Sequence, residues 1–244
     1  MLTLPKIIGD LILDNTIRLQ YLEAMGIDVW LPRTSVPTKQ TLFSEVVIDD
    51  AELEPKSSVI DDWNNLQIEV TSCKKCTLRT TASKTVFGSG NKQADWMLVG
   101  EAPGQQEDEQ GLPFEGSSGA LLTEMLRAIG LSRKDVFITN VLKCRPPDNR
   151  APHINEISSC INYLHRQQQL IQPKIIVTLG LIAAQSLLKT NEPLAKLRGK
   201  VHMFNDTPVI VAHHPAYLLR FLSKKHEAWL DLTHAIQTFK NNKG

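Results

Sequence analysis

No apolar run in the chain approaches the roughly 20 residues needed to cross a bilayer. The N-terminus, MLTLPKIIGDLILDN, places Asp10 and Asp14 where a secretory leader would stay apolar. These two absences point to a cytoplasmic protein. Excess charge is missing too: 27 Lys and Arg against 26 Asp and Glu leave a formal net charge of +1. The molecule as a whole therefore does not advertise nucleic-acid binding, and any phosphate-binding surface has to come from one basic face. Cysteine is scarce, with four in 244 residues, and in a cytosolic chain that is a poor basis for structural disulfides. No internal repeat is apparent. What is present is an ordinary globular composition, 42% hydrophobic and 22% charged, with enough length for one substantial core and an appendage.

The appendage comes first. Residues 1–35 carry Leu11, Leu13, Ile17, Leu19, Leu22 and Met25 at near-helical spacing, with Gly26 as a stop and Trp30 in an extended tail. This segment is too small to hold its own core, so it either binds a partner or packs on the main domain. Residues 36–60 are rich in Ser, Thr, Pro, Asp and Glu without periodicity, the composition of a mobile linker. The main domain is expected over residues 61–244.

There, short Val, Ile and Leu runs at Trp96 to Gly100, Val136 to Leu142, Lys174 to Gly180 and Pro208 to His213 read as strands buried on both faces. Helical patterns separate or follow them, near Ser117 to Ile129, His153 to Ile171, Leu181 to Lys189 and Lys224 to Phe239. The alternation predicts an α/β fold, a three-layer αβα sandwich around a central, mainly parallel four-stranded sheet. The four loops following the strands leave the same sheet edge, where α/β proteins place ligands. They would bring Glu101, Glu107, Phe114, Asn140, Asn149 and His214 toward one cleft. A ring that stacks, an amide offering donor and acceptor together, and an imidazole suit a flat heterocycle. Each also has a plainer reading: Phe114 as a core anchor, Asn140 as a strand-end cap, and the carboxylates of QQEDEQ as a solvated loop.

Cys73 and Cys76 form a C-x2-C pair, and the remaining cysteines are Cys144 and Cys160. If the fold brings them together, four thiolates suit tetrahedral zinc or an iron–sulfur cluster, which spacing does not separate. The alternative is one incidental pair with two buried core cysteines.

The set GEAPG, ED, G-PF-G, ITNVLKCRPP-NR-P, a cysteine in the following helix, and HHPAYLLR resembles family 4 of the uracil-DNA glycosylases, the iron–sulfur branch. The resemblance runs over about residues 61 to 240. It implies a [4Fe–4S] cluster on Cys73, Cys76, Cys144 and Cys160, with zinc as the minor alternative. It implies a monofunctional glycosylase that flips uracil from DNA and hydrolyses the N-glycosidic bond to leave an abasic site in base excision repair. Phe114 would stack on the flipped base, Asn140 would read its O4 and N3 edge, and His214 would donate to O2. Glu101 would stand near water and sugar with Ala102 beside it, Glu107 near the C5 edge, and Asn149 among the substrate contacts. A related family carries an aspartate in the first motif for the water, so water activation here is weaker or differently supplied. Departures from the pattern are Glu115, where a small apolar residue is usual, and Ser117, where an arginine is common.

For DNA, Arg145, Arg150, Arg198 and Arg220 supply local positive charge, and Leu218 or Leu219 is the candidate wedge, with burial at the start of the last helix as the plainer reading. The run RLQYLEAMGIDVWLPR resembles the N-terminal peptide of the bacterial clamp-loader psi subunit, which implies the chi subunit as a partner, and KQTLF resembles a sliding-clamp peptide. Against the enzyme stand a non-catalytic iron–sulfur nucleic-acid binder or replication adaptor and, more remotely, a redox carrier.

Overall fold

The computed structural model describes residues 57–242, with side chains from residue 62. The helical pattern over 1–35, the linker as far as residue 56, and both replication-protein resemblances lie outside the described residues. The first described helix, α1 (Ser57–Thr71), begins four residues before the expected domain start at 61.

Six strands form one sheet: β1 (Ser89–Gly90), β2 (Trp96–Gly100), β3 (Val136–Asn140), β4 (Ile175–Leu179), β5 (Val201–Phe204) and β6 (Thr207–Ala212). Their spatial order is β1-β3-β2-β4-β6-β5. The inner four are parallel, and the short outer two pair antiparallel. The sheet is thus the expected parallel core plus two edge strands absent from the sequence reading. β1 is only two residues long, and β5 alternates exposed and half-buried residues with no apolar run.

Side-chain alternation along the buried strands divides the core in two. Met97 and Val99 face one side, with Phe137, Ile176 and Val209, under Trp63 and Leu66 of α1 and Tyr163 and Leu164 of α5 (Ile154–Ile171). Trp96 and Leu98 face the other, with Ile138, Val177 and Ile210. They lie under Leu122 and Leu126 of α4 (Gly116–Ala128) and Ala235 of α9 (Lys225–Asn241). The other helices are α2 (Leu78–Thr81), α3 (Gln105–Gln110), α6 (Leu181–Leu188), α7 (Leu194–Leu197) and α8 (Pro215–Arg220). No described helix is long and apolar enough to cross a membrane.

Two local expectations need correction. QQEDEQ is helix α3, not a solvated loop, and both Glu107 and Asp108 are buried in it. Asp108 accepts hydrogen bonds from the backbone N–H groups of Ser83 and Lys84, and those bonds are what allow a carboxylate inside. Helix α4 opens at Gly116, with Glu115 as its cap, one residue ahead of the expected start near Ser117.

Candidate active site

The carboxyl ends of β2, β3 and β6 open onto a cleft of about 640 Å3, of the size that takes a small heterocycle and its surroundings. Its lining includes Glu101, Ala102, Glu107, Phe114, Asn140, Asn149, Arg150, His214 and Arg220. All six residues expected to converge do so.

The floor is built by exclusion. A Cβ at Gly100 would lie 2.3 Å from Asn140 Oδ1 and 2.7 Å from Phe114 Cζ, so only glycine lets the amide and the ring close over the end of β2. The β2–β3 ladder runs on past both strands, with Val141 N donating to Gly100 O and Leu142 N to Glu101 O, which fixes Asn140 beside Glu101. Lys143 braces the same strand end from behind. Its buried Nζ donates to Thr139 Oγ1, the carbonyl of Asn140 and Gln167 Oε1 at 2.6 to 2.7 Å. Burial draws its ammonium down to about 7.

Phe114 is held with φ of 54°, a left-handed conformation that a bulky residue rarely adopts. Arg133 holds it there, donating to the carbonyls of Pro113 and Phe114 at 2.7 and 3.1 Å. Arg133 also stands 3.9 Å from Glu115, so the unusual negative charge there has a cation beside it. The Phe114 ring stacks against His214 with centroids 5.5 Å apart and planes 28° apart.

His214 caps α8, its Nδ1 accepting from Ala216 N at 3.1 Å. An imidazole nitrogen that accepts carries no proton, so the neutral ring holds its proton on Nε2. Burial, with the charge of Arg220 nearby, pulls the imidazole down to about 4. At neutral pH it is an uncharged donor. The Glu101 carboxyl is pushed up by burial.

Glu107 lines the cleft as expected and is also engaged by the backbone. Its Oε2 accepts from Gly104 N and its Oε1 from Glu115 N, at 3.1 and 3.0 Å. Both oxygens join the GEAPG and PFEG loops, so Glu107 acts as a brace at the cleft wall.

The basic residues divide. Arg150 and Arg220 line the cleft, and Arg150 is held in a bidentate pair with Glu156, whose carboxyl it brings down to about 2. Arg145 donates to Asn149 Oδ1 at 2.8 Å and is set back from the lining. Arg198 is a correction: it is committed inside the protein to Asp231 and Glu227, with only 14% of its side chain exposed, and offers little to a phosphate. Leu218 is a second correction. It is 1% exposed and packed with Met125, Ala228 and Leu232, because it sits on the inner face of α8. Leu219, 40% exposed and lining the cleft, is the available wedge. The sequence reading missed Arg133, Lys143 and Tyr217. Lys143 and Tyr217 stand inside recognised motifs, whereas nothing local marks Arg133.

Cys73, Cys76, Cys144 and Cys160 line one small cavity on the α1–α5 side of the sheet. Cys73 Sγ accepts from Lys75 N at 3.5 Å and Cys160 Sγ from Lys143 N at 3.3 Å, contacts suited to thiolates. Burial and the neighbouring thiols push Cys144 up to about 12. Among the described residues no group of three or more His, Cys, Asp or Glu is arranged so that it could hold a metal ion as it stands. Four sulfurs from three chain segments line this cavity together, which is the donor chemistry an iron–sulfur cluster would use.

Residues 87–233 match the model of the uracil DNA glycosylase superfamily. The type-4 uracil-DNA glycosylase of Archaeoglobus fulgidus is 46% identical over 168 residues, covering 66% of this chain and 84% of that protein. That of Pyrobaculum aerophilum is 40% identical over 179 residues, covering 70% and 91%. That of Thermotoga maritima is 41% identical over 153 residues, covering 62% and 80%. With the cleft and the motif residues in this arrangement, the chain belongs to the uracil-DNA glycosylase superfamily, alongside its type-4 members.

Proposed function

We propose that the chain is a monofunctional uracil-DNA glycosylase, which flips uracil out of DNA and hydrolyses its N-glycosidic bond. The observation that carries this reading is the meeting of Phe114, Asn140 and a neutral, Nε2-protonated His214 in one cleft. A base swung from the stack meets the Phe114 ring, and the Asn140 amide matches its O4 acceptor and N3 donor. As the C1′–N1 bond breaks, its electron pair passes to the base and charge gathers at O2. The fixed Nε2–H of His214 is aimed there, and such a donor strengthens its bond most as the anion forms. Because the ring is neutral, it stabilises the anion by hydrogen bonding and keeps its proton.

The sugar becomes cationic as the base leaves, and water adds at C1′. Glu101, in its ionised form, stands in the same wall to steady that cation and take the proton of the water. Among the described residues no lysine lines the cleft, in keeping with hydrolysis without a Schiff-base step. Arg150 and Arg220 meet phosphates, Asn149 contributes to the mouth, and Leu219 enters the gap left by the base. The four cysteines would hold a [4Fe–4S] cluster, which supplies structure when bound. Its support is the cavity that gathers all four sulfurs, together with the motif resemblance.

The test is release of free uracil from a uracil-containing oligonucleotide, with Asn140→Ala and His214→Ala variants that keep the brown cluster colour. Release by the unaltered protein and a loss of at least about a hundredfold in each variant is expected. No release from cluster-loaded protein would sink the reading.

A further inference from the structure

Beside the cleft mouth runs a column of three aromatic rings, none of which the uracil chemistry gives a task. It starts inside the protein at His213, which is 6% exposed, with Nε2 at 3.0 Å from Glu227 Oε2. Lys224 and Arg198 also engage Glu227, so the inner end of the column is anchored by a carboxylate that is itself held on three sides. Tyr217 stacks on His213 at 5.1 Å with the planes 13° apart. Phe221 packs on Tyr217 at 4.6 Å. His213 is buried and Tyr217 half-buried, while Phe221, at the C-cap of α8, is 49% exposed. A large apolar ring at a surface is unremarkable alone. A ring supported from beneath, with an open side and directly after two cleft-lining residues, is pre-organised to stack on something.

The surroundings select the partner. Leu219 and Arg220 precede Phe221 in the chain and line the cleft, as does Tyr217 beneath it. Lys225 follows within about one turn, Lys224 is half-exposed while paired with Glu227, and Glu227, the next carboxylate along the chain, is spent on the column's anchor. An aromatic face flanked by cations and continuous with a nucleotide-binding cleft matches a polynucleotide strand, whose bases stack and whose phosphates are neutralised alongside. Resting on the proposed uracil-releasing role, we infer that Phe221 is a stacking platform for one unpaired base next to the flipped uracil, a contact that favours single-stranded or locally opened DNA.

The test measures equilibrium binding of the intact, cluster-loaded protein to a single-stranded oligonucleotide carrying one non-hydrolysable 2′-fluoro-deoxyuridine. In a matched series, each nucleotide within three positions of it is replaced in turn by a baseless spacer. Phe221→Ala should raise Kd roughly tenfold, in line with one stacked base, and Phe221→Trp should restore it. One spacer position should weaken binding of the unaltered protein by the same factor and leave Phe221→Ala unaffected. Equal Kd for Phe221→Ala and the unaltered protein, or spacers that cost both proteins equally at every position, would overturn the platform. A parallel assay of uracil release separates the two claims. Release with no Phe221-dependent binding removes the platform alone, whereas no release removes the parent reading and the platform with it.

Discussion

In the proposed reaction His214 and Glu101, which line one cleft, would serve the same bond with opposite needs, and their surroundings suit both. The imidazole must stay neutral to offer Nε2–H without a full charge, and burial with Arg220 nearby holds it near 4. The carboxyl must be ionised to assist water, yet burial raises it. As pH falls, Glu101 therefore takes a proton first and His214 later, near 4. The acid limb of kcat/KM for uracil release should follow Glu101, at a pH above the ordinary carboxylate value. A pH–rate profile of Glu101→Gln should show a plateau lower by about a hundredfold and a limb displaced toward 4. The sign for stability runs the other way. A carboxyl whose folded pKa exceeds its unfolded one loses stability as pH rises through that window, so the ionised Glu101 is a cost at neutral pH. Glu101→Gln should then raise Tm at pH 7 by about 2 °C while it lowers activity. A variant that lost both would mean Glu101 is held for packing.

Helix α3 shows how an element can be set by contacts that its own sequence does not announce. QQEDEQ has no apolar period, and six polar residues in a row read as a solvated loop. It is helical and half buried because Asp108 and Glu107 find backbone N–H groups from other segments, partners that appear only in the folded chain. The four inner strands were legible because each is a compact, mainly apolar run, and their observed ends lie within two residues of the expected ones. β1 and β5 were not, since two residues and a half-exposed four carry no pattern. Leu218 and Leu219 could not be separated by sequence either, because their roles depend on which face of a six-residue helix meets α9. The brace formed by Glu107 gives an element-level prediction. Glu107→Ala orphans Gly104 N and Glu115 N, and should cost about 1–2 kcal/mol of stability and roughly tenfold in kcat/KM. Glu107→Gln, which keeps one acceptor, should lose less of both. Neither variant should release thymine from a thymine-containing oligonucleotide. If Glu107→Ala does, the residue guards the C5 edge as well.

Across the whole molecule, the cysteines bring three distant parts of the chain to one cavity. Cys73 and Cys76 follow α1, Cys144 stands four residues after Asn140, and Cys160 lies on α5. Spacing announced the first pair but not its partnership with the others, because Cys144 and Cys160 reach the same cavity only through the β3–α5 crossover. A group bound by all four would therefore fix the base-reading end of β3 against α1 and α5, working with the Lys143 brace behind Asn140. Oxidative loss of the cluster, or Cys160→Ser, should lower Tm by at least several degrees, because bound metal contributes directly to folding. Uracil release should fall in proportion to the cluster lost, while the molecules that retain it keep their pH profile, since no step of the reaction passes through iron. Thermal unfolding and uracil release, followed against iron content, measure both effects. Full release from iron-free protein would show that the sheet alone holds Asn140 in place. Stoichiometric zinc in protein purified without added metal would assign the four sulfurs to a different group.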